Sequence, residues 1–486
     1  MTIKQPIHND DSAAASPRHG VSASLEGLLI FWFVASPIAS FYLRFPVDKS
    51  LVTFNRAVIV IAVGLLIVKA LTNRRGQAEQ RPRFAFTATK FEIAWAMVAL
   101  IALVNAAFLS NDFPYGLKLA IDTFGLPLVI FHLARYHFDA RGRHHMLWLA
   151  AAALAWCLFA TGAYELLRGA NLFQYKGSEL VREGERRVNG PFAADSSYAI
   201  ICLLVFVLLQ AAPHLFRSKL DKVARLFTTG ALIAAAVAVL LPTFRSAALA
   251  LLACWLIVRF ATLRSDAATR RRGDAAMERQ RDGLPTFVSP RRRVAASPRL
   301  SFAVSVMAFL LLAGLGSAAL GWFAAGKRLT NPRNVIGRLA TWESAVGITL
   351  DNPVGGVGLA NYQWAFDQRY FYSDTEAEAL LDTTAADSPH SNLLWVAAEM
   401  GVVAFLLYVI ANAYLFLIGW RALRRAQSGG ARAAAAAFIA LFVAYWLPGL
   451  TLASGYYSDV NLYFFFLMGL LSNPSFTADS HEVSAA

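Results

Sequence analysis

Charged residues are scarce in this chain. They make up 16% of its 486 residues, and 57% are hydrophobic, whereas soluble domains average about 25% charged and roughly 45–50% apolar residues. This balance excludes an ordinary soluble protein. The net charge of +14 would suit a nucleic-acid-binding protein. The Lys and Arg residues lie instead in short loops between apolar runs, as they do in the cytoplasmic loops of membrane proteins.

Cysteine is scarce as well, and the three cysteines, Cys157, Cys202 and Cys254, all lie inside apolar runs. We interpret them as packing residues that carry no information on the redox compartment. The glycine-rich run Asn352–Tyr362 lacks the Lys-Ser/Thr of a phosphate-binding P-loop, and no spacing indicates a metal site. We therefore expect no metal, no cofactor and no nucleic-acid partner.

What the chain has in abundance is apolar runs, which recur from Leu25 to Leu471 and reach the roughly 17–25 residues that cross a bilayer as a helix. The sequence predicts an all-α polytopic membrane protein with about twelve transmembrane helices and a large periplasmic loop carrying short interfacial helices. The predicted spans have their centres near residues 34, 63, 100, 125, 156, 205, 234, 253, 312, 405, 443 and 466.

The basic loops between these spans predict the orientation. All of them fall on one side if both termini are cytoplasmic, as the positive-inside rule requires. The first apolar run is interpreted as an uncleaved helix rather than a signal peptide. The basic loops are 73–90, 135–145, 213–225, 264–299 and 421–432.

This topology divides the chain into segments. We expect a cytoplasmic tail over 1–24, nine helices over 25–323, a periplasmic loop over 324–390, three helices over 391–472 and a second cytoplasmic tail over 473–486. The basic cytoplasmic loop 264–300 has few apolar residues and no periodicity, so it is predicted to be disordered and to touch anionic lipid.

Two arginines are candidate ligands for an anionic substrate on the outer side. Arg338 and Trp342 are four positions apart and share one helix face, and this helix is predicted to lie at the outer interface. Arg245 sits in a tight hairpin at the membrane edge, where an arginine is costly unless it is paired. Simple anchoring to ordinary phospholipid is an alternative for both arginines.

His390, at the start of the tenth span, is a candidate general base because its unperturbed pKa of about 6.5 permits proton transfer near neutral pH. It also fits a plain interfacial residue beside Asn392. Glu399 lies nine residues deeper, where a carboxylate is expensive and usually faces an internal cavity or bonds a neighbouring helix. Inside the fourth span, Lys118 and Asp122 are predicted to form an internal ion pair.

Taken in order, these motifs resemble the O-antigen ligase and polymerase superfamily. They are G-R-x-x-x-W at Gly337–Trp342, P-x-x-G-x-G at Pro353–Gly358, and H-x-N-x-L with a following E-x-G at His390–Gly401. The resemblance extends to the twelve-span plan and to the hairpin arginine. The chain departs from the family pattern in two places, since the hairpin reads Phe244–Ser246 rather than Ser-Arg and Ser391 interrupts His-Asn.

The resemblance implies a metal-independent glycosyltransferase that uses a glycan carried on undecaprenyl diphosphate. It also implies a location in the bacterial inner membrane, with the active site at the periplasmic face. Arg245 and Arg338 would bind the diphosphate, whose growing negative charge needs fixed cations. His390 would take the proton of the acceptor hydroxyl. Four further residues are accessory candidates: Arg187, Trp342, Asn392 and Glu399.

Three functions remain open at this stage. A ligase would move the lipid-linked glycan onto an acceptor sugar such as a lipopolysaccharide core, whereas a polymerase would join lipid-linked repeat units into an O-antigen or exopolysaccharide. A transporter or flippase would share the twelve-span plan. Against a transporter, the sequence shows no matching broken helices in its two halves, and its polar residues concentrate in one outer loop.

Overall fold

The computed structural model of the protein describes most of the predicted membrane spans. Each predicted span centre lies in a helix except residue 312, which is outside the described residues. The candidate residue Arg187 also lies outside them. The described residues are 17–42, 53–76, 88–138, 140–169, 172–173, 181–182, 185–186, 188–192, 194–215, 222–242, 244–281, 333–367 and 388–473.

The described fold is helical apart from one pair of two-residue antiparallel strands, β1 (Val181–Arg182) and β2 (Glu185–Arg186). Short π-helical turns follow α4 and α5, and a 3₁₀ turn precedes α14. The helices are α1 Pro17–Tyr42, α2 Phe54–Gly76, α3 Lys90–Phe108, α4 Phe113–Ala120, α5 Leu126–His132, α6 Ala140–Arg168, α7 Asp195–Leu215, α8 Lys222–Leu240, α9 Arg245–Arg281, α10 Arg333–Asp351, α11 Tyr362–Ala365, α12 Asn392–Arg425, α13 Gly429–Gly449 and α14 Ser458–Leu471.

Within the described residues, 8 helical segments are long and apolar enough to cross a membrane. Three more, Ser24–Ala39, Phe54–Val68 and Ser458–Leu471, are apolar but shorter. The all-α membrane class is therefore confirmed, whereas the count of about twelve spans remains a prediction. The shortest of these helices, α14, has 14 residues, fewer than a span usually needs, so its sequence predicts a span only weakly.

The bundle is built around α7, whose residues from Ser196 to Leu209 are all buried. Helices α6, α8, α9 and α13 pack against α7, and α13 also packs along α9. On the other side of the bundle, α12 packs against α3 and α10, and α14 packs against α5. The apolar faces of these helices other than α10 form one continuous core. Helix α10 instead contributes Ala345 and Ile348 to a smaller apolar cluster that includes Ala398 of α12.

Two expectations need correction. The predicted disorder of the basic loop is wrong over its first part, because α9 continues to Arg281. Arg and Ala, the main residues there, are strong helix formers. The predicted Lys118–Asp122 pair is also wrong, since Asp122 instead forms a bidentate pair with Arg56, with both nitrogen–oxygen distances at 2.8 Å. The planar guanidinium matches both carboxylate oxygens, which the lysine ammonium cannot do.

Helix α12 is broken at Gly401, where φ is 80° and ψ is 176°. This conformation is open to glycine almost alone. The break frees backbone groups about 14 Å below the start of the helix, at 1.5 Å per residue, and the run Pro353–Gly358 takes them up. Val357 N donates to Ala398 O, Gly358 N donates to Glu399 O, and Val402 N donates to Pro353 O. A segment of the large loop thus enters the body of the bundle.

Replacing Gly401 with alanine tests this arrangement. A Cβ atom there would lie 2.4 Å from Val354 O, in a backbone conformation that costs about 1–3 kcal/mol for other residues. We expect Gly401→Ala to lower the free energy of unfolding by about 3 kcal/mol or more, measured by thermal unfolding in detergent. Gly64→Ala is the matched control, because nothing lies within 4 Å of its Cβ and its effect should stay within about 1 kcal/mol. Equal stability of the two variants would contradict the description of the break.

Candidate functional site

The candidate residues that the structure describes lie in or beside the connections at one end of the bundle, which we call the site end. Its described connections are 109–112, 189–192, 241–242 with 244, 352–361, 388–391 and 451–457. Hydrogen bonds join several of these connections directly: Asn361 Nδ2 donates to Leu109 O at 2.9 Å, and Asn392 Oδ1 accepts from Gly455 N at 2.9 Å. The loops at this end therefore hold one another in place.

Glu399 lies at the centre of the site end and is fully buried. Its Oε2 accepts from Ala360 N at 3.0 Å and from the Trp395 indole N–H at 2.6 Å. Its Oε1 accepts from Tyr362 N at 3.0 Å and from the Tyr456 hydroxyl at 2.8 Å. Four donors thus fill the four acceptor positions of one carboxylate, and these donors come from three separate stretches of the chain.

Two asparagines that the sequence analysis did not single out complete the anchoring of the run 352–361. Asn105, on α3, donates to Gly355 O at 2.6 Å and accepts from Leu359 N at 2.6 Å. Asn361 donates to Leu109 O and to Val357 O and accepts from Asn111 N. The sequence does contain a signal for Asn105, because it is a polar residue inside an apolar run. An amide at such a position is costly unless it has hydrogen-bond partners.

Arg245 and Arg338 approach each other although they are distant in sequence. Arg245 begins α9, and Arg338 lies in the first half of α10. Burial lowers the pKa of Arg338, and the positive charge of Arg245 lowers it further. The structure therefore brings together the two arginines that were predicted to bind an anion. A close pair of like charges is unfavourable by itself and becomes favourable when an anion lies between them.

Trp342 is one helical turn beyond Arg338 on α10. Its indole Nε1 is buried, and it has no hydrogen-bond partner among the described residues. A buried donor without a partner costs free energy, so an acceptor from a ligand would stabilise it. The face of α10 opposite the buried Ala345 and Ile348 exposes the apolar side chains of Leu339, Val346 and Leu350, which suits a helix that touches lipid.

His390 is half-buried and precedes α12 with a positive φ of 49°, which is uncommon for a residue other than glycine. Its backbone N–H donates to Ser388 Oγ at 3.4 Å. No described contact joins His390 to Arg245 or Arg338, so its place beside the arginines stays a prediction. Asn392 is fully buried and bonds Ser454 Oγ and Gly455 N, so its contacts are those of a structural residue.

The connection before α7 is anchored by a second buried carboxylate. Glu165, at the end of α6, accepts from Asn189 N at 3.0 Å and from Gly190 N at 2.9 Å. Gly190 has a φ of 54° and packs against Tyr198, which leaves no room for a side chain. Arg187 precedes this turn but lies outside the described residues, so its accessory role remains a prediction.

These features define a polytopic helical membrane protein in which two arginines from separate helices lie within electrostatic reach of each other. Residues 230–409 match the family model described as O-antigen ligase. This match supports the O-antigen ligase-like superfamily for the chain and confirms the resemblance drawn from the motifs. Proteins of this family are membrane enzymes of the ligase or polymerase type that act on lipid-linked glycans. No curated protein matches the chain.

The matched segment contains every candidate residue except Arg187. It spans the hairpin with Arg245, helix α10 with Arg338 and Trp342, and the first half of α12 with Glu399. The enzyme class that the match indicates also removes the main support for the transporter interpretation, which rested on the span count alone.

The paired arginines generate a prediction on anion binding. Inorganic diphosphate should raise the unfolding temperature of the purified protein, and Arg245→Gln or Arg338→Gln should each weaken its binding by about tenfold or more, because a charge-assisted bidentate contact is lost. Without diphosphate, each variant should unfold at or above the temperature of the unchanged protein, since repulsion between like charges is relieved. Arg421→Gln, at the far and exposed end of α12, is the control. Unchanged diphosphate binding in both site variants would refute the anion site.

Proposed function

We propose that the protein transfers a glycan from an undecaprenyl-diphosphate-linked donor to an acceptor sugar at the periplasmic face of the bacterial inner membrane. The observation that carries the proposal is that Arg245 and Arg338, which lie on separate helices, are close enough for their charges to interact: burial lowers the pKa of Arg338, and the positive charge of Arg245 lowers it further. A diphosphate between them would turn this repulsion into attraction.

In this proposal the two guanidinium groups hold the diphosphate through bidentate hydrogen bonds. As the bond between the anomeric carbon and the diphosphate oxygen breaks, the bonding electrons pass to the leaving undecaprenyl diphosphate. The fixed positive charges stabilise the negative charge that develops there, so this role falls to the arginines rather than to a metal ion. The unpartnered indole N–H of Trp342 is a third donor for the same group.

His390 acts as the general base of the proposed reaction. Its imidazole takes the proton of the acceptor hydroxyl as the hydroxyl oxygen forms its bond to the anomeric carbon. The products are the extended glycan and undecaprenyl diphosphate. His390 lies at the site end, directly before the helix that also carries Glu399, and this placement supports the assignment.

The ligase and the polymerase share this chemistry and differ in the acceptor. A ligase uses a different glycan, such as a lipopolysaccharide core, whereas a polymerase uses a second lipid-linked repeat unit. Purified protein supplied with the lipid-linked repeat alone distinguishes them, because a polymerase yields a ladder of longer products. We place the ligase first, with the polymerase of the same superfamily as the alternative.

Complementation of a deletion strain tests the proposed residues. Surface glycan should fall by about 10²-fold or more with His390→Ala, since a general base contributes about 10²–10⁴-fold, and by a similar factor with Arg245→Ala or Arg338→Ala. The lipid-linked glycan should accumulate on the outer face of the membrane.

Arg421→Ala serves as the control in the same strain, and each variant is quantified in the membrane fraction. Normal surface glycan from all three site variants at normal expression would overturn the site. Accumulation of the lipid-linked glycan on the inner face would instead indicate a transport defect.

A further inference from the structure

The two halves of the proposed site belong to different helices. Arg338 lies on α10 and His390 precedes α12. Transfer between a bound diphosphate and an activated hydroxyl requires a fixed relation between these two residues, because a misplacement of about 1 Å costs on the order of 10²-fold in rate. Contacts within the fold must therefore fix the position of α10 relative to the start of α12.

One path leads from Glu399 to the helix of Arg338. The Glu399 carboxylate accepts from Tyr362 N, and the Tyr362 hydroxyl donates to Thr341 O on α10 at 2.8 Å. The Thr341 hydroxyl donates in turn to Arg338 O at 2.9 Å. Tyr362 is fully buried and Thr341 is nearly so, so solvent does not compete for these bonds.

A second path leads from Glu399 to the start of α12. The Trp395 indole N–H donates to Glu399 Oε2, and Trp395 N donates to Ser391 O, directly after His390. The Trp395 ring also packs on Tyr456, with ring centroids 4.4 Å apart, and Tyr456 donates its hydroxyl to the same carboxylate. The first helical turn after His390 is thereby fixed to Glu399.

We propose that Glu399 is the positioning residue of the transferase site, which ties the helix of the diphosphate-binding Arg338 and the helix start behind His390 to one carboxylate. This inference rests on the proposed function and deepens it. Glu399 touches neither substrate in this account, and it acts by keeping the two substrate-binding elements in a single relative placement.

The chemistry of the carboxylate defines the variant that tests it. Glutamine has the same shape but only one acceptor oxygen, and its NH₂ group would face two donors. At the Oε2 position both donors are N–H groups, from Ala360 and Trp395. At the Oε1 position the Tyr456 hydroxyl is able to turn and accept, but Tyr362 N–H is not. Glu399→Gln therefore disrupts the hydrogen bonds to this side chain while keeping the volume of the side chain.

Turnover is measured as release of undecaprenyl diphosphate by the full-length purified protein. The donor is the lipid-linked glycan extracted from membranes of a deletion strain, and the same membranes supply the acceptor. We expect Glu399→Gln to lower kcat by about 10–100-fold and to change KM for the donor by less than about 3-fold, because the arginines remain. Asp459→Asn, another carboxylate variant at the site end, which accepts from Asn55, should stay within about 2-fold of the unchanged protein.

The double variant His390→Ala/Glu399→Gln separates positioning from loss of folded protein. If Glu399 acts by placing His390, Glu399→Gln should lower kcat by less than about 2-fold in a protein that already carries His390→Ala. If Glu399 only stabilised the fold, the decreases in kcat of the two single variants would multiply in the double variant, and that result would overturn the inference. An unchanged kcat in Glu399→Gln would overturn it as well.

Tyr362→Phe decides the question if Glu399→Gln is not recovered as folded protein. It removes the hydroxyl that bonds Thr341 O and leaves all four donors to Glu399 in place. A fall in kcat of about 5-fold or more at constant KM supports the positioning role, and a normal kcat overturns it. Normal turnover in His390→Ala would overturn the proposed function itself, whereas lost turnover there with normal turnover in Glu399→Gln would overturn only this inference.

Discussion

A helix that breaks inside a membrane protein leaves backbone N–H and C=O groups that water cannot reach, so the protein itself must supply their partners. The break at Gly401 in α12 obeys this constraint through the run Pro353–Gly358, which takes up the freed groups. Glu399, two residues before the break, adds a carboxylate that collects four donors. The rest of the site end depends on these contacts, because they make the run 352–361 a fixed part of the bundle.

The electrostatics of the site follow from where these contacts place α10. Helix α10 packs on α12 and brings Arg338 to Arg245, at the start of α9. The fold thereby holds two guanidinium groups and the unpartnered indole N–H of Trp342 at the same end, which is an unfavourable arrangement without an anion. Strain of this kind is typical of functional sites, where stability is sacrificed for a binding surface. This arrangement supports the proposed diphosphate site.

Much of this could be predicted from the sequence, since span positions depend on local composition, and the motifs with Arg245, Arg338 and His390 are short. The partners of Glu399 could not be predicted from the sequence, because Ala360, Tyr362 and Tyr456 contact it only in the folded arrangement around the helix break at Gly401. The i,i+4 rule paired Asp122 with Lys118, but Arg56, distant in sequence, forms the better bidentate pair. Local rules fail where a long-range contact offers more hydrogen bonds. The helix that continues to Arg281 has no apolar periodicity, so helix propensity is the one local property of the sequence that indicates it.

The most direct test of this account is an experimental structure, by electron cryo-microscopy, of the protein bound to undecaprenyl diphosphate. The account predicts that the diphosphate lies between the guanidinium groups of Arg245 and Arg338. It also predicts that the His390 imidazole faces the same cavity, and that the Glu399 carboxylate still bonds Tyr362 and Trp395. Diphosphate bound away from both arginines, or a His390 side chain that faces a separate region of the protein, would contradict it.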